Sequence, residues 1–235
     1  MLLPLPSLAD TLRVAVASNF VPVVEKLAPV FESESGHSIA IIGGATGQHY
    51  TQIVNGAPFD VFLSADEERP RLLENNGQAV AGSRMTYAIG QLVLWSPNAG
   101  IVDTAGAVLK DGTFNHLAIA SPQLAPYGAA ALQVLTGMGV WDAVEARLVQ
   151  GQNITQTLQF IETGNAELGF IAYSQWIEID PDRKGSAWEV PASLHDPINQ
   201  GAVILKDSAA ARAFFSFLQS DSSKAFISAA GYGVP

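Results

Sequence analysis

Short, almost unbroken apolar runs recur along the chain between Gly, Asn, Ser and Pro: LRVAVA at 12–17, SIAIIG at 38–43, FDVFLSA at 59–65, HLAIAS at 116–121 and LGFIAY at 168–173. A run of this kind, with no polar alternation, is a strand buried on both faces, so helices must cover each side of its sheet. The intervening segments carry helical periodicity. Val23, Leu27, Val30 and Phe31 form one stripe, and Ile154, Leu158 and Ile161 another, at spacings of three, four or seven. Strand and helix alternate, which predicts an α/β protein. Pro29 falls inside the first stripe and predicts a kink there, or a helix that begins again.

Two stretches break the alternation. MTYAIGQLVLWSP, 85–97, is too long for one strand, and NQGAVIL, 199–205, is a second apolar run after a polar, proline-containing segment. Both are expected to cross between lobes, giving lobe one as residues 10–89 with 199–235 and lobe two as 90–198. The chain is long enough for two lobes of about 100 residues. SAAARAFFSFLQS and DSSKAFISAAGYG each open on an N-cap residue and carry helical spacing, with glycine closing the second.

With 48% hydrophobic and 14% charged residues the chain is too apolar for disorder, yet no run approaches the roughly 18 residues of a membrane span. A formal charge of -10, with Lys and Arg nowhere clustered, repels nucleic acid and anionic membranes. There is no cysteine, and His37, His49, His116 and His195 have no metal-ligand spacing, so neither a thiol nucleophile nor a metal centre is expected. GxSxG is also absent. The opening MLLPLPSLAD fits either the tail of a secretory signal or an unstructured terminus over residues 1–9.

Ligands of open α/β sheets bind beyond the carboxyl ends of strands, where helix starts present unpaired N–H groups. Four such junctions are legible: VASNFVP with Ser18, Asn19 and Pro22; GGATGQHY with Thr46; ASPQLAPYG with Tyr127; and GQNIT, where Asn153 is placed to cap a helix beginning at Ile154 and Thr155. Together, their backbone donors and hydroxyls suit a compact anion. Taken singly, Ser, Thr and Asn at such places are ordinary N-caps. The glycine turn at 43–47 lacks both the GK[ST] of a nucleotide P-loop and the full GxGxxG fingerprint, and its glycines are equally explained by positive φ or close packing. The acidic SADEERP, 64–70, reads as a first helical turn that complements the helix dipole. None of the donor positions is an Asp or Glu. A fully deprotonated oxyanion offers only acceptors and suits such a site, whereas phosphate keeps a proton at neutral pH and its P–OH wants an acceptor.

The stretch from VAVASNFVPVVEKLAPVFESESG through QIVNGAPFDVFLSADE, followed by YAIGQLVLWSP, IASPQLAPYG, GNAELGFIAYSQ and the closing AAGYGVP, resembles the periplasmic molybdate-binding proteins of ABC transporters, the ModA family. The likeness covers essentially everything after residue 10. It implies a type II periplasmic binding protein of two lobes, each a mainly parallel sheet flanked by helices, joined by two crossovers. It further implies a monomer that closes over molybdate or tungstate in the periplasm and delivers it to a membrane permease, with no cofactor and no catalysis. Matched position by position, the anion-binding hydroxyl pair is Ser18 and Thr46, with backbone N–H groups from Asn19 and Ile154 and with Tyr127 from the second lobe. Several relatives carry a tyrosine directly after the strand that here reads LGFIA; this chain has Ala172 there and Tyr173 one place on, so Tyr127 is expected to supply the hydroxyl instead. Two alternatives stand: the same fold tuned to sulfate or another oxyanion, and an enzyme on the bilobal scaffold. The enzyme would want a charged residue at the junctions, and Arg13, Arg84 and Arg147 lie elsewhere.

Overall fold

The computed structural model describes residues 10–235, so the expectation for residues 1–9 lies outside it. The chain opens with β1 (Thr11–Ala17), α1 (Val21–Ser35), β2 (Ser38–Gly44), α2 (Thr46–Val54), β3 (Val61–Leu63), α3 (Glu68–Asn75) and β4 (Met85–Gly90). It continues with β5 (Leu92–Ser96), α4 (Val108–Asp111), β6 (Leu117–Ala120), α5 (Pro126–Gly137), α6 (Trp141–Val144) and β7 (Leu148–Gly151). Then come α7 (Ile154–Glu162), β8 (Leu168–Ala172), α8 (Tyr173–Ile177), β9 (Ser186–Glu189), β10 (Ile198–Ile204), α9 (Ala209–Leu218) and α10 (Asp221–Ala229).

These strands form two five-stranded sheets, ordered β2-β1-β3-β10-β4 and β7-β6-β8-β5-β9. In the first, β1 runs parallel to β2 and β3 while β10 runs antiparallel to β3 and β4. The second repeats the plan: β6 is parallel to β7 and β8, and β5 is antiparallel to β8 and β9. In each sheet the reversed strand is the one that has just arrived from the other lobe. Gln91 alone separates β4 from β5, so the stretch at 85–97 is one strand of each sheet joined by a single residue.

Burial explains the unbroken apolar runs. Along β1, Val14 and Val16 join one core with Leu27, Phe31 and Phe214, while Ala15 joins the opposite face with Ile53, Phe62 and Leu73. In the second sheet Leu92 and Leu94 pack with Leu117, Val134 and Phe170, and Val93 and Trp95 pack on the other side with Ile161 and Ile171. Two details correct the sequence reading. Val30 is 46% exposed, because α1 buries the stripe Val23, Val24, Leu27, Ala28 and Phe31 and its 100° turn carries residue 30 out to solvent. Pro29 does not end α1; it sits on the exposed face, where water can satisfy the carbonyl one turn back that its missing N–H leaves free.

Candidate functional site

Four helices begin where strands end, and the residues before them show how. At the end of β1 the Ser18 N–H donates to the Gly44 carbonyl at 2.9 Å, and a tight turn (Phe20 N–H to Ala17 O, 2.8 Å) starts α1 with Pro22 in its first turn. The residues preceding α1, α2 and α5 are Phe20, Ala45 and Ala125, none of which has a capping side chain. The hydroxyls of Ser18 and Thr46 are therefore not spent on N-caps. Only α7 is capped in the ordinary way, by Asn153 Oδ1 accepting from the Gln156 N–H at 2.9 Å. The N–H groups of Asn19, Ala45, Thr46, Tyr127 and Ile154 find no acceptor among the described residues.

Ser18, Asn19, Thr46, Tyr127 and Ile154, the five residues singled out from sequence, line one small, narrow pocket between the sheets. A larger hollow beside it, of about 510 Å³, carries Lys26, Glu162, Glu178 and Arg183 on its wall. The small pocket has no Asp, Glu, Lys, Arg or His in its lining.

The side chains around it are held in defined roles. Thr46 is 2% exposed, and its hydroxyl oxygen accepts the Ala65 N–H at 2.9 Å, which leaves its proton to donate. The Asn19 carboxamide donates to Gln200 Oε1 at 2.9 Å and to the Tyr232 hydroxyl at 3.1 Å, so of its donors the backbone N–H is the one free for the pocket. The Tyr127 hydroxyl accepts from Gln200 Nε2 at 3.2 Å and has no protein acceptor for its own proton among the described residues. Burial pushes the Tyr127 phenol well above its ordinary value, so it stays a neutral donor across physiological pH. Tyr173 packs on Trp176, 5.5 Å between ring centroids, and is not part of the pocket lining.

The glycines of the opening turn act by close approach. Neither Gly44 nor Gly47 has positive φ. A Cβ on Gly44 would lie 2.8 Å from the His49 ring, and one on Gly47 would lie 3.1 Å from Leu124 Cα. His49 is buried under this turn, with Nε2 3.2 Å from the Val16 carbonyl and Nδ1 3.2 Å from Gln52 Oε1. Across the cleft mouth the Gly47 N–H donates to Leu124 O and Arg69 Nη2 to Gln123 O, both at 2.8 Å, and Gln48 Nε2 meets Gln152 Oε1 at 2.9 Å. In the acidic run, Asp66 Oδ1 accepts the Arg69 N–H at 2.9 Å and so closes the start of α3.

The sequence matches the family described as bacterial extracellular solute-binding protein over residues 12–233. It is 50% identical to the molybdate-binding protein ModA of Azotobacter vinelandii, across 96% of this chain and 91% of that one. The chain belongs to the ModA family. A second ModA, from Rhodobacter capsulatus, is 46% identical over 98% of this chain and 91% of its own. The solved periplasmic molybdate-binding protein of A. vinelandii superposes with a TM-score of 0.91 at 45% identity, covering 95% of this chain and 99% of that structure. The fold is thus that of a type II periplasmic binding protein. Among the described residues no helix is long and apolar enough to cross a membrane.

Sequence reasoning reached the pocket but not what stands behind it. Gln200, Tyr232 and Tyr87 were passed over because they sit in stretches read only as strand or helix end. One signal was available: a glutamine inside the apolar run NQGAVIL, which proves to be fully buried.

Proposed function

We propose that this protein captures molybdate or tungstate between its two lobes and presents it to the permease of an ABC importer, acting as a periplasmic monomer without catalysis. The observation that carries this reading is a small pocket formed by four helix starts and lined only by uncharged groups. Each helix start contributes partial positive charge and N–H groups that need partners. Such donors cost no reorganisation when the ion arrives. The net charge of -10 does not oppose it, since distant charges are screened over about 8 Å at physiological salt.

In this reading the Ser18 and Thr46 hydroxyls and the Asn19 N–H bind the ion from one lobe, and Tyr127 and the Ile154 N–H bind it from the other. The lobes are residues 10–89 with 199–235, and 90–198. Kinship with two curated molybdate-binding proteins at 46% and 50% identity supports molybdate over other ions of the same shape. Calorimetric titration of the purified protein with molybdate, tungstate, sulfate and phosphate tests it. Tight molybdate and tungstate binding with weak sulfate and phosphate binding is expected; sulfate binding without a molybdate response would overturn it.

A further inference from the structure

Thr155 stands in the first turn of α7 but does not line the small pocket. Threonines within helices commonly turn the hydroxyl back to the carbonyl four residues earlier. Thr51, Thr157 and Thr163 do so, reaching Gly47 O at 2.9 Å, Asn153 O at 3.0 Å and Gln159 O at 2.6 Å. Four residues before Thr155 is Gly151, at the end of β7, whose carbonyl already accepts the Ser121 N–H at 2.7 Å. The Thr155 hydroxyl goes elsewhere: Oγ1 lies 3.3 Å from Ser18 O, and since a carbonyl can only accept, Thr155 donates. Helix α7 packs on the second sheet through Ile161, whereas Ser18 follows β1 of the first, so this bond crosses the cleft.

Ser18 O and the Asn19 N–H belong to one peptide unit. The unit is planar and trans, so its C=O and N–H point in opposite directions, and fixing one fixes the other. A hydrogen bond accepted at the carbonyl also polarises the amide and makes its N–H a stronger donor. That N–H has no acceptor among the described residues. The flanking groups are anchored from their own side of the cleft. The Ser18 N–H donates to Gly44 O at 2.9 Å, and the Asn19 carbonyl accepts the Tyr232 hydroxyl at 2.8 Å. From the opposite side the peptide is met by Thr155.

We propose that Thr155 is a positioning residue whose hydroxyl, reaching across the cleft to Ser18 O, aims and strengthens the Asn19 N–H as a donor to the ion. The start of α7 thus serves the ion twice, directly through the Ile154 N–H and indirectly through Thr155, which ties donor alignment to lobe closure. The inference rests on the oxyanion reading of the cleft.

The test records proton–nitrogen amide spectra and stopped-flow molybdate release for the wild-type chain, Thr155→Val and Thr155→Ser. Valine keeps the branched shape and deletes the hydroxyl. In the wild type, molybdate is expected to move the Asn19 and Ile154 amide protons downfield. In loaded Thr155→Val the Asn19 proton should lie upfield of its wild-type position while that of Ile154 stays in place, and release should be about 2- to 12-fold faster, the worth of one neutral hydrogen bond. Thr155→Ser should restore both. Thr155→Ala is the second variant if Thr155→Val does not fold, with the same expected pattern. An unmoved Asn19 amide or an unchanged release rate in a folded variant would overturn the proposal, as would an equal displacement of the Ile154 amide, which marks a general disturbance of α7. A wild-type chain that binds no oxyanion would instead overturn the functional reading beneath it.

Discussion

On the proposed reading Thr46 holds the Ala65 N–H and also binds the ion, and replacing it with valine separates the two roles. Valine keeps the branched shape in a position that is 2% exposed, so packing changes little and only the hydroxyl is lost. The first consequence belongs to the empty protein. Ala65 N–H, 2.9 Å from the hydroxyl oxygen and buried beside it, is left without an acceptor. An orphaned buried donor costs roughly 1 to 3 kcal/mol. The second belongs to the complex: a hydrogen bond to a charged group is worth about 1.5 to 3 kcal/mol, or a ~10- to 150-fold weaker molybdate Kd. The two add in a melt with ligand. At a concentration about 100 times the wild-type Kd, binding stabilises the wild type by ~2.7 kcal/mol, but a variant weakened 100-fold gains only ~0.4 kcal/mol. Denaturant titration without ligand reads the first cost, calorimetry the second, and Thr46→Ser should restore most of both. Molybdate affinity within threefold of wild type in Thr46→Val would refute the assignment of this hydroxyl. Lost stability alone would show that Thr46 serves only Ala65.

Three further outcomes follow from the geometry. Gly128→Ala places a Cβ against the Ala120 carbonyl oxygen and 2.8 Å from the Ser121 carbonyl carbon, backbone atoms that cannot rotate away; overpacking of about 1 to 3 kcal/mol, seen as a melting point lower by ~2 to 12 °C, is expected, and an unchanged melting curve contradicts it. Arg69→Met deletes the bond to Gln123 O across the cleft mouth while keeping the apolar stem. Stopped-flow should show molybdate release ~2- to 12-fold faster with association unaltered, and a slowed association instead would refute a closure role. Burial lowers the His49 pKa below its ordinary 6.5, so the unfolded chain takes up a proton that the folded one resists. Stability is then complete above pH 6.5 and declines as pH falls toward the depressed folded value; denaturant midpoints should show that slope in the wild type and lose it in His49→Gln, and a slope persisting in the variant would assign it elsewhere.

Some of this architecture could be read before any coordinates. Runs such as LRVAVA announce a strand covered on both sides, and Val14 and Ala15 do enter opposite cores. Strands β7 and β9 were not legible: each has four residues, lies at a sheet edge and includes polar side chains, so there is no apolar run to find. The stripe in α1 was legible to within one residue, since spacing alone does not say whether Val24 or Val30 completes it. At the cleft, helix starts with Ser, Thr and Asn were visible, but their use was not. Asn153 is a cap; Thr46 looks the same in sequence and instead holds the Ala65 N–H.

By itself the sequence determined the class of fold, the four junctions and the absence of charge at them, because periodicity, glycine and helix-start chemistry are local. Only the tertiary structure decided that Ser18, Thr46, Tyr127 and Ile154 share one pocket, and that Gly44, Gly47 and Gly128 are small to let backbone and rings approach rather than to turn. It alone brought Asn19, Tyr232, Gln200 and Tyr127, far apart in the sequence, into one buried hydrogen-bonded network. A hydroxyl's role as donor or acceptor is set by whichever partner has already claimed it, and such partners meet only when the chain has folded.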